Sequence, residues 1–98
     1  MKRKNKFGTA FRTVRLARGL TQEDFANESG RTYISELERG LKQPTLQKIN
    51  DLAVPLGVHP LTPIILAYLA TYDLLSAERA LAQVKEELHG LLQSITSK

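Results

Sequence analysis

At 98 residues the chain has room for one domain and one accessory element, and with 42% hydrophobic residues it can fill a small core without cross-links. It has no cysteine, which excludes a disulfide framework and a thiolate metal site; His59 and His89 lack an acidic cluster, so no metal and no cofactor are expected. The net charge of +4 is lopsided: residues 1–45 carry ten Lys or Arg against five acids, residues 46–98 four against five, which points to a polyanion met by the N-terminal half.

Residues 1–6, MKRKNK, form a basic arm with no helical period. Such an arm lies along phosphates, enters a minor groove, or is a solvated end. No apolar region follows it, so it is not a secretory signal. Helix 1 is expected at about Thr9–Arg18, closed by Gly19, with Phe7, Phe11 and Val14, joined by Leu16 and Ala17, as its buried side. Arg12, Arg15 and Arg18 recur every three residues, usually the mark of a solvated face.

The stretch Thr21–Gly40, TQEDFANESGRTYISELERG, reads as two short helices meeting at a tight turn. Thr21 caps the first, and Asp24 three residues on can reach back to the cap N–H as in a capping box. Leu20 and Phe25 stand where a hydrophobic staple packs. Gly30 ends that helix with positive φ, and the second helix runs from about Thr32 to Arg39. Ile34 and Leu37 face inward; Arg31, Thr32, Ser35, Glu36 and Arg39 stay outside. A short helix with a polar outer face, held on a partner helix, suits a DNA major groove.

Thr45 caps the next helix, about Leu46–Leu56, whose apolar positions are Leu46, Ile49, Leu52, Ala53 and Leu56, with Val54 adding to them; Gly57 closes it. A further helix starts either with His59 as cap and Pro60 in the first turn, or with Thr62 as cap and Pro63 there. Its Ile64–Leu69 run is apolar nearly all round and should be buried on more than one side. The stretch from Leu61 to Leu75, broken by Pro63, Tyr68, Tyr72 and Asp73, is too short and mixed to span a bilayer, so no membrane is involved and a cytoplasmic, nucleoid-associated protein is expected. Leu74, Ala77, Leu81, Val84, Leu88, Leu91 and Ile95 then alternate three and four apart, a heptad seam on a last helix. Thr71-Tyr72-Asp73 or Ser76 marks its start.

TQEDFA, then YISELERG, a Pro-containing loop and PTLQKINDLAVPLGV together resemble the Cro/C1-type helix-turn-helix family of bacterial and phage transcription regulators. The resemblance spans about Phe7 to Leu69. It implies an all-α, five-helix lambda-repressor-like bundle that binds operator DNA as a homodimer. On matching positions it implies base contacts from Arg31, Thr32 and Glu36. Phosphate contacts are implied for Gln22, Arg39, Lys42 and Thr45, and a partly buried salt bridge between Arg15 and Glu38. Tyr33 is expected to pack, with its hydroxyl on a phosphate; Glu36 reads a cytosine or orients Arg31 or Thr32. The chain departs from the family at Gly30-Arg31, where relatives carry two more residues, the first apolar. Either helix 2 ends early, or helix 3 starts late, or Tyr33 fills the gap.

Since a five-helix bundle is already closed, the heptad seam is expected to pair with a second copy rather than pack on its own bundle, in an orientation its charges leave open. The expected organisation is an arm (1–6), a DNA-binding domain (7–72) and a dimerisation helix (73–98). The expected function is regulation of transcription, as a repressor, by a homodimer on double-stranded inverted-repeat operator DNA. The rival from another class is a protein-interaction module, such as an antitoxin meeting a toxin through its Ile64–Leu75 surface. An enzyme has no support: the sequence shows no nucleophile–base grouping and no Gly-rich phosphate loop.

Overall fold

The computed structural model describes residues 6–96, leaving aside the side chain of Glu28; the basic arm, apart from Lys6, lies outside the described residues. The chain divides into two compact units, one up to Tyr68 and one from Leu69. In the first unit, α1 is Phe7–Ala17 and α2 is a 3₁₀ turn, Gln22–Phe25, running into one α-turn, Ala26–Ser29. The remaining helices of that unit are α3, Arg31–Glu38, α4, Leu46–Leu56, and α5, Leu61–Tyr68. The second unit holds α6, Leu74–Thr96.

The core of the first unit forms where the apolar faces of α1 to α4 meet. Phe11, Phe25, Ile34 and Leu37 are fully buried, joined by Phe7, Val14, Ile49, Leu52 and Leu56. The Phe11 and Phe25 rings meet edge to face at 5.1 Å, the geometry aromatic quadrupoles favour. This contact seats the short α2 against α1. Leu20 also packs on the core, and Asp24 accepts from the Thr21 N–H at 2.7 Å, as the capping pattern predicts. Gln22 to Ser29 is too short a run to hold itself helical, so packing of Phe25 rather than propensity keeps it in place.

Where sequence and structure differ, the reason is geometric. Helix α1 begins two residues earlier than expected, at Phe7, because Phe7 and Gly8 are themselves buried. Leu16 is 52% exposed and Ala17 is exposed, since both lie off the Phe7–Phe11–Val14 stripe. Leu46 and Val54 are also exposed, because the buried stripe of α4 is narrow and runs through Ile49, Leu52, Ala53 and Leu56. Helix α5 buries only Pro63 fully; Ile64 to Ala67 are half-buried and Tyr68 is exposed, so its all-round apolar character is not matched by all-round burial. Leu46 and Tyr68, with Phe7, Pro44, Ile49, Ile64 and Ala67, line an apolar cavity of about 150 Å³. His59 caps this helix, its Nδ1 accepting from the Leu61 N–H at 3.0 Å, which settles the open choice of start in its favour. Thr45 caps α4 by accepting from the Lys48 N–H at 3.1 Å.

Gly8 is a feature the sequence reading missed. A Cβ there would stand 1.9 Å from the Leu37 carbonyl oxygen, so α1 and α3 touch backbone to backbone at this residue. Gly8→Ala should therefore destabilise the protein by about 1–3 kcal/mol, despite alanine's better helix propensity, because the helices must part. Thermal unfolding followed by circular dichroism checks this; an unchanged or raised melting temperature would contradict it.

Candidate nucleic-acid interface

Helix α3 is locked from behind. Arg15 of α1 makes a fork-to-fork pair with Glu38, Nε to Oε2 at 2.6 Å and Nη2 to Oε1 at 2.9 Å, while Nη1 donates to the Leu20 carbonyl at 2.9 Å. The two side chains are only 8% and 4% exposed. Gln22 Nε2 adds a donor to Glu38 Oε1 at 3.0 Å, and Arg12 Nε stands 3.9 Å from the same oxygen. The hydrogen bonds that Arg15 donates to Glu38 raise the guanidinium above its ordinary pKa, with further help from the carboxylate charge and against the lowering effect of burial. One carboxylate thus ties α1, α2 and the last turn of α3 together. Glu38 is satisfied inward and presents no free charge at the outer surface.

Gly30 sets the other end of α3. It is the last residue of the α2 cap and the first of the α3 cap, at φ 81° and ψ 143°, in a region that an L side chain rarely enters. Its N–H donates to the Ala26 carbonyl and its own carbonyl accepts from Ile34. The connection between the helices is therefore a single residue. Helix α2 ends at Ser29, α3 begins at Arg31, one residue before the expected Thr32, and Tyr33 packs against the core. Lys48 Nζ sits 4.9 Å above the Tyr33 ring, a cation–π contact that also draws α4 to α3. Burial pushes the Tyr33 phenol up in pKa. Ser29 Oγ, beside the turn, is buried without a hydrogen-bond partner.

The structure places the sequence-predicted residues as follows. Arg31 and Thr32 are exposed in the first turn of α3, and Glu36 is half-buried one turn on. Arg31 Nη1 lies 3.5 Å from Glu23 Oε1, and Lys42 Nζ lies 3.8 Å from Glu36 Oε1. The expectation that Glu36 orients Arg31 or Thr32 is corrected: Glu36 faces Lys42, and Arg31 is met by Glu23 across the short turn. Both pairs are solvent-exposed enough to be worth little, so either cation can leave its partner for a phosphate or a base. Arg39 is exposed at the end of α3. Thr45 accepts from α4 through its hydroxyl oxygen, which leaves its proton to donate outward. Gln22 braces α3 through Glu38. Glu23 and Lys48 were not singled out in the sequence, and Arg12 was read only as part of a solvated arginine row, since each acts through a contact that no local spacing announces.

Removing one partner of the Arg15–Glu38 pair leaves a buried carboxylate short of its main donor. Arg15→Ala should cost about 3 kcal/mol or more. Chemical denaturation measures it, and a change near zero would mean that solvent already satisfies Glu38.

Comparisons with known proteins match this geometry. A family model described as Helix-turn-helix covers residues 11–62. The HTH-type transcriptional regulator y4dJ of Sinorhizobium fredii is 43% identical over 53 residues, 52% of this chain and 69% of that protein. Control protein C.BamHI of Bacillus amyloliquefaciens is 40% identical over 57 residues, 55% of this chain and 70% of that protein. The crystal structure of the restriction-modification controller protein C.AhdI from Aeromonas hydrophila superposes with a TM-score of 0.55 at 39% identity, covering 60% of this chain and 92% of that one. The family model spans α2 and α3 with the Glu38 cluster, and the solved controller shares the all-α architecture. The chain belongs to the Cro/C1-type helix-turn-helix family of DNA-binding transcription regulators.

Proposed function

We propose that the chain is a repressor that works as a homodimer on an inverted-repeat operator, with α3 of each copy in the major groove of one half-site. The observation that carries this reading is the division of α3. Its inner side is fixed by Ile34, Leu37 and Glu38, and its outer side offers Arg31, Thr32 and Glu36. A rigid helix with adaptable polar side chains on one face is what base reading needs. Arg31 suits a guanine, donating two bonds to O6 and N7; Glu36 suits a cytosine amino group. Gln22, Tyr33, Arg39, Lys42 and Thr45 supply phosphate contacts that fix register. In a homodimer the half-sites lie about 34 Å apart, one helical turn. The relatives' names, a transcriptional regulator and two control proteins of which one is a restriction-modification controller, agree with regulation of transcription. They give a toxin partner no support. The compartment that fits is the cytoplasm, and no single helix among the described residues is long and apolar enough to cross a membrane.

Selection from random duplexes at low salt tests the reading. The expected product is one inverted repeat; a pool that enriches no motif would sink it. On the selected operator, Arg39→Ala should weaken binding to all sequences about equally and lower the salt slope by about 1, whereas Arg31→Ala should relax preference at one base pair per half-site. Titrations at several salt concentrations separate the two effects.

A further inference from the structure

Helix α6 is a 23-residue helix that buries none of its residues. Asp73 caps it, its Oδ1 accepting from the Ser76 N–H at 2.8 Å. A hydrogen bond from Thr71 foremost, with the Ser76 N–H, holds the Asp73 carboxyl below the ordinary 3.8. This cap is therefore complete above pH 3.8 and is lost only as pH falls through the lower folded value. The helix is well started, yet Leu81, Val84, Leu88, Leu91 and Ile95 are 48% to 66% exposed. Their spacing of three and four residues continues the seam from Leu74 and Ala77, so one stripe of α6 is apolar over three heptads.

We propose that this stripe is covered by α6 of a second copy, packed antiparallel about a twofold axis between Ala82 and Gln83. This rests on the homodimer reading above and supplies the orientation that reading leaves open. The argument is one of charge and volume. With Leu74, Leu81, Leu88 and Ile95 as a positions and Ala77, Val84 and Leu91 as d positions, the flanking e positions are Glu78, Lys85 and Leu92. The g positions are Asp73, Ala80, Glu87 and Ser94. In a parallel pair g faces the next e of the partner, which sets Asp73 against Glu78 on both sides and gives no attractive pair in return. It also sets Ala77 against Ala77, a thin layer in the seam.

An antiparallel pair centred between Ala82 and Gln83 sets e against e and g against g. Glu78 then meets Lys85 of the second copy, twice by symmetry, and Glu87 meets only Ala80. The layers become Leu74 with Leu91, Ala77 with Leu88, and Leu81 with Val84, so the smallest residue faces a large one. Shifting by one heptad, to an axis at Glu86, brings Lys85 against Lys85 and Glu87 against Glu87. Among these arrangements one alone joins an attractive charge pattern to complementary layers. Being twofold symmetric, it also matches the symmetry of an inverted repeat.

Two measurements on the whole 98-residue chain decide it. The chain lacks cysteine, so Arg79→Cys and Gln93→Cys, both at outer f positions, can each carry one nitroxide. With 1.5 Å rise per residue the two labels of a dimer are offset along the axis by about 10 Å at position 79 and about 32 Å at position 93. Pulsed dipolar spectroscopy should give a clearly longer distance at 93 than at 79. Equal distances at both positions mean a parallel pair, and no dipolar coupling at either means that α6 does not pair; both overturn the proposal. In sedimentation equilibrium, Glu78→Lys should raise the dimer Kd about tenfold, and adding Lys85→Glu to it should restore the Kd. In a parallel pair Glu78→Lys would instead tighten the dimer by relieving Asp73. A chain that selects no operator but gives these distances refutes the regulatory reading alone. An operator-binding dimer without them refutes only this one.

Discussion

Glu38 is a carboxylate that the fold can bury only because Arg15 is buried with it. Taking either charge from water alone costs several kcal/mol; together, in a two-bond fork with Gln22 and the Leu20 carbonyl completing the set, they reach a satisfied state. The rest of the first unit is arranged to allow this. Gly8 lets α1 approach the end of α3 closely enough for Arg15 to reach, and the Thr21–Asp24 cap starts α2 where Gln22 can add its donor. An apolar contact could hold two helices together but would fix their rotation less tightly. A directional pair at the last turn of α3 sets which side chains of that helix look outward.

At the other end of α3 the constraint is brevity. Gly30 alone joins the helices, in a conformation open to glycine because it has no Cβ. Behind this turn the Tyr33 ring packs on the core under Lys48. Across this single-residue turn Glu23 Oε1 stands 3.5 Å from Arg31 Nη1. Arg31, in the first turn of α3, is thus held by a weak, solvent-exposed partner. So exposed an ion pair contributes little to stability and holds Arg31 only weakly.

How much was legible in the sequence depended on whether the cause was local. Caps at Thr21 and Thr45, the stop at Gly57, and the inward Ile34 and Leu37 follow from spacing over a few residues, whereas spacing left His59 and Thr62 as alternative starts for α5. The Arg15–Glu38 pair, 23 residues apart, came only through family resemblance, because no periodicity links two helices. Gly8 was missed for the same reason: a glycine in a helix looks like a weakness until its neighbour is known. Leu46, Val54 and α5 misled in the opposite direction. Apolar composition shows that a residue can be buried, but whether it is depends on which stripe the next helix covers. The α6 seam is the remaining case: its period is plain in the sequence, and the stripe it forms is exposed.

The central claim, that one interior ion pair sets the pose of the recognition helix, is tested most directly by a double-mutant cycle on Arg15 and Glu38. Arg15→Met, Glu38→Met and the double variant would each be unfolded with denaturant. The account predicts that each single change costs about 3 kcal/mol or more, and that the double variant loses clearly less than the sum, with a coupling energy above about 1.5 kcal/mol. Additive losses, with a coupling near zero, would contradict it and leave apolar packing alone to orient α3.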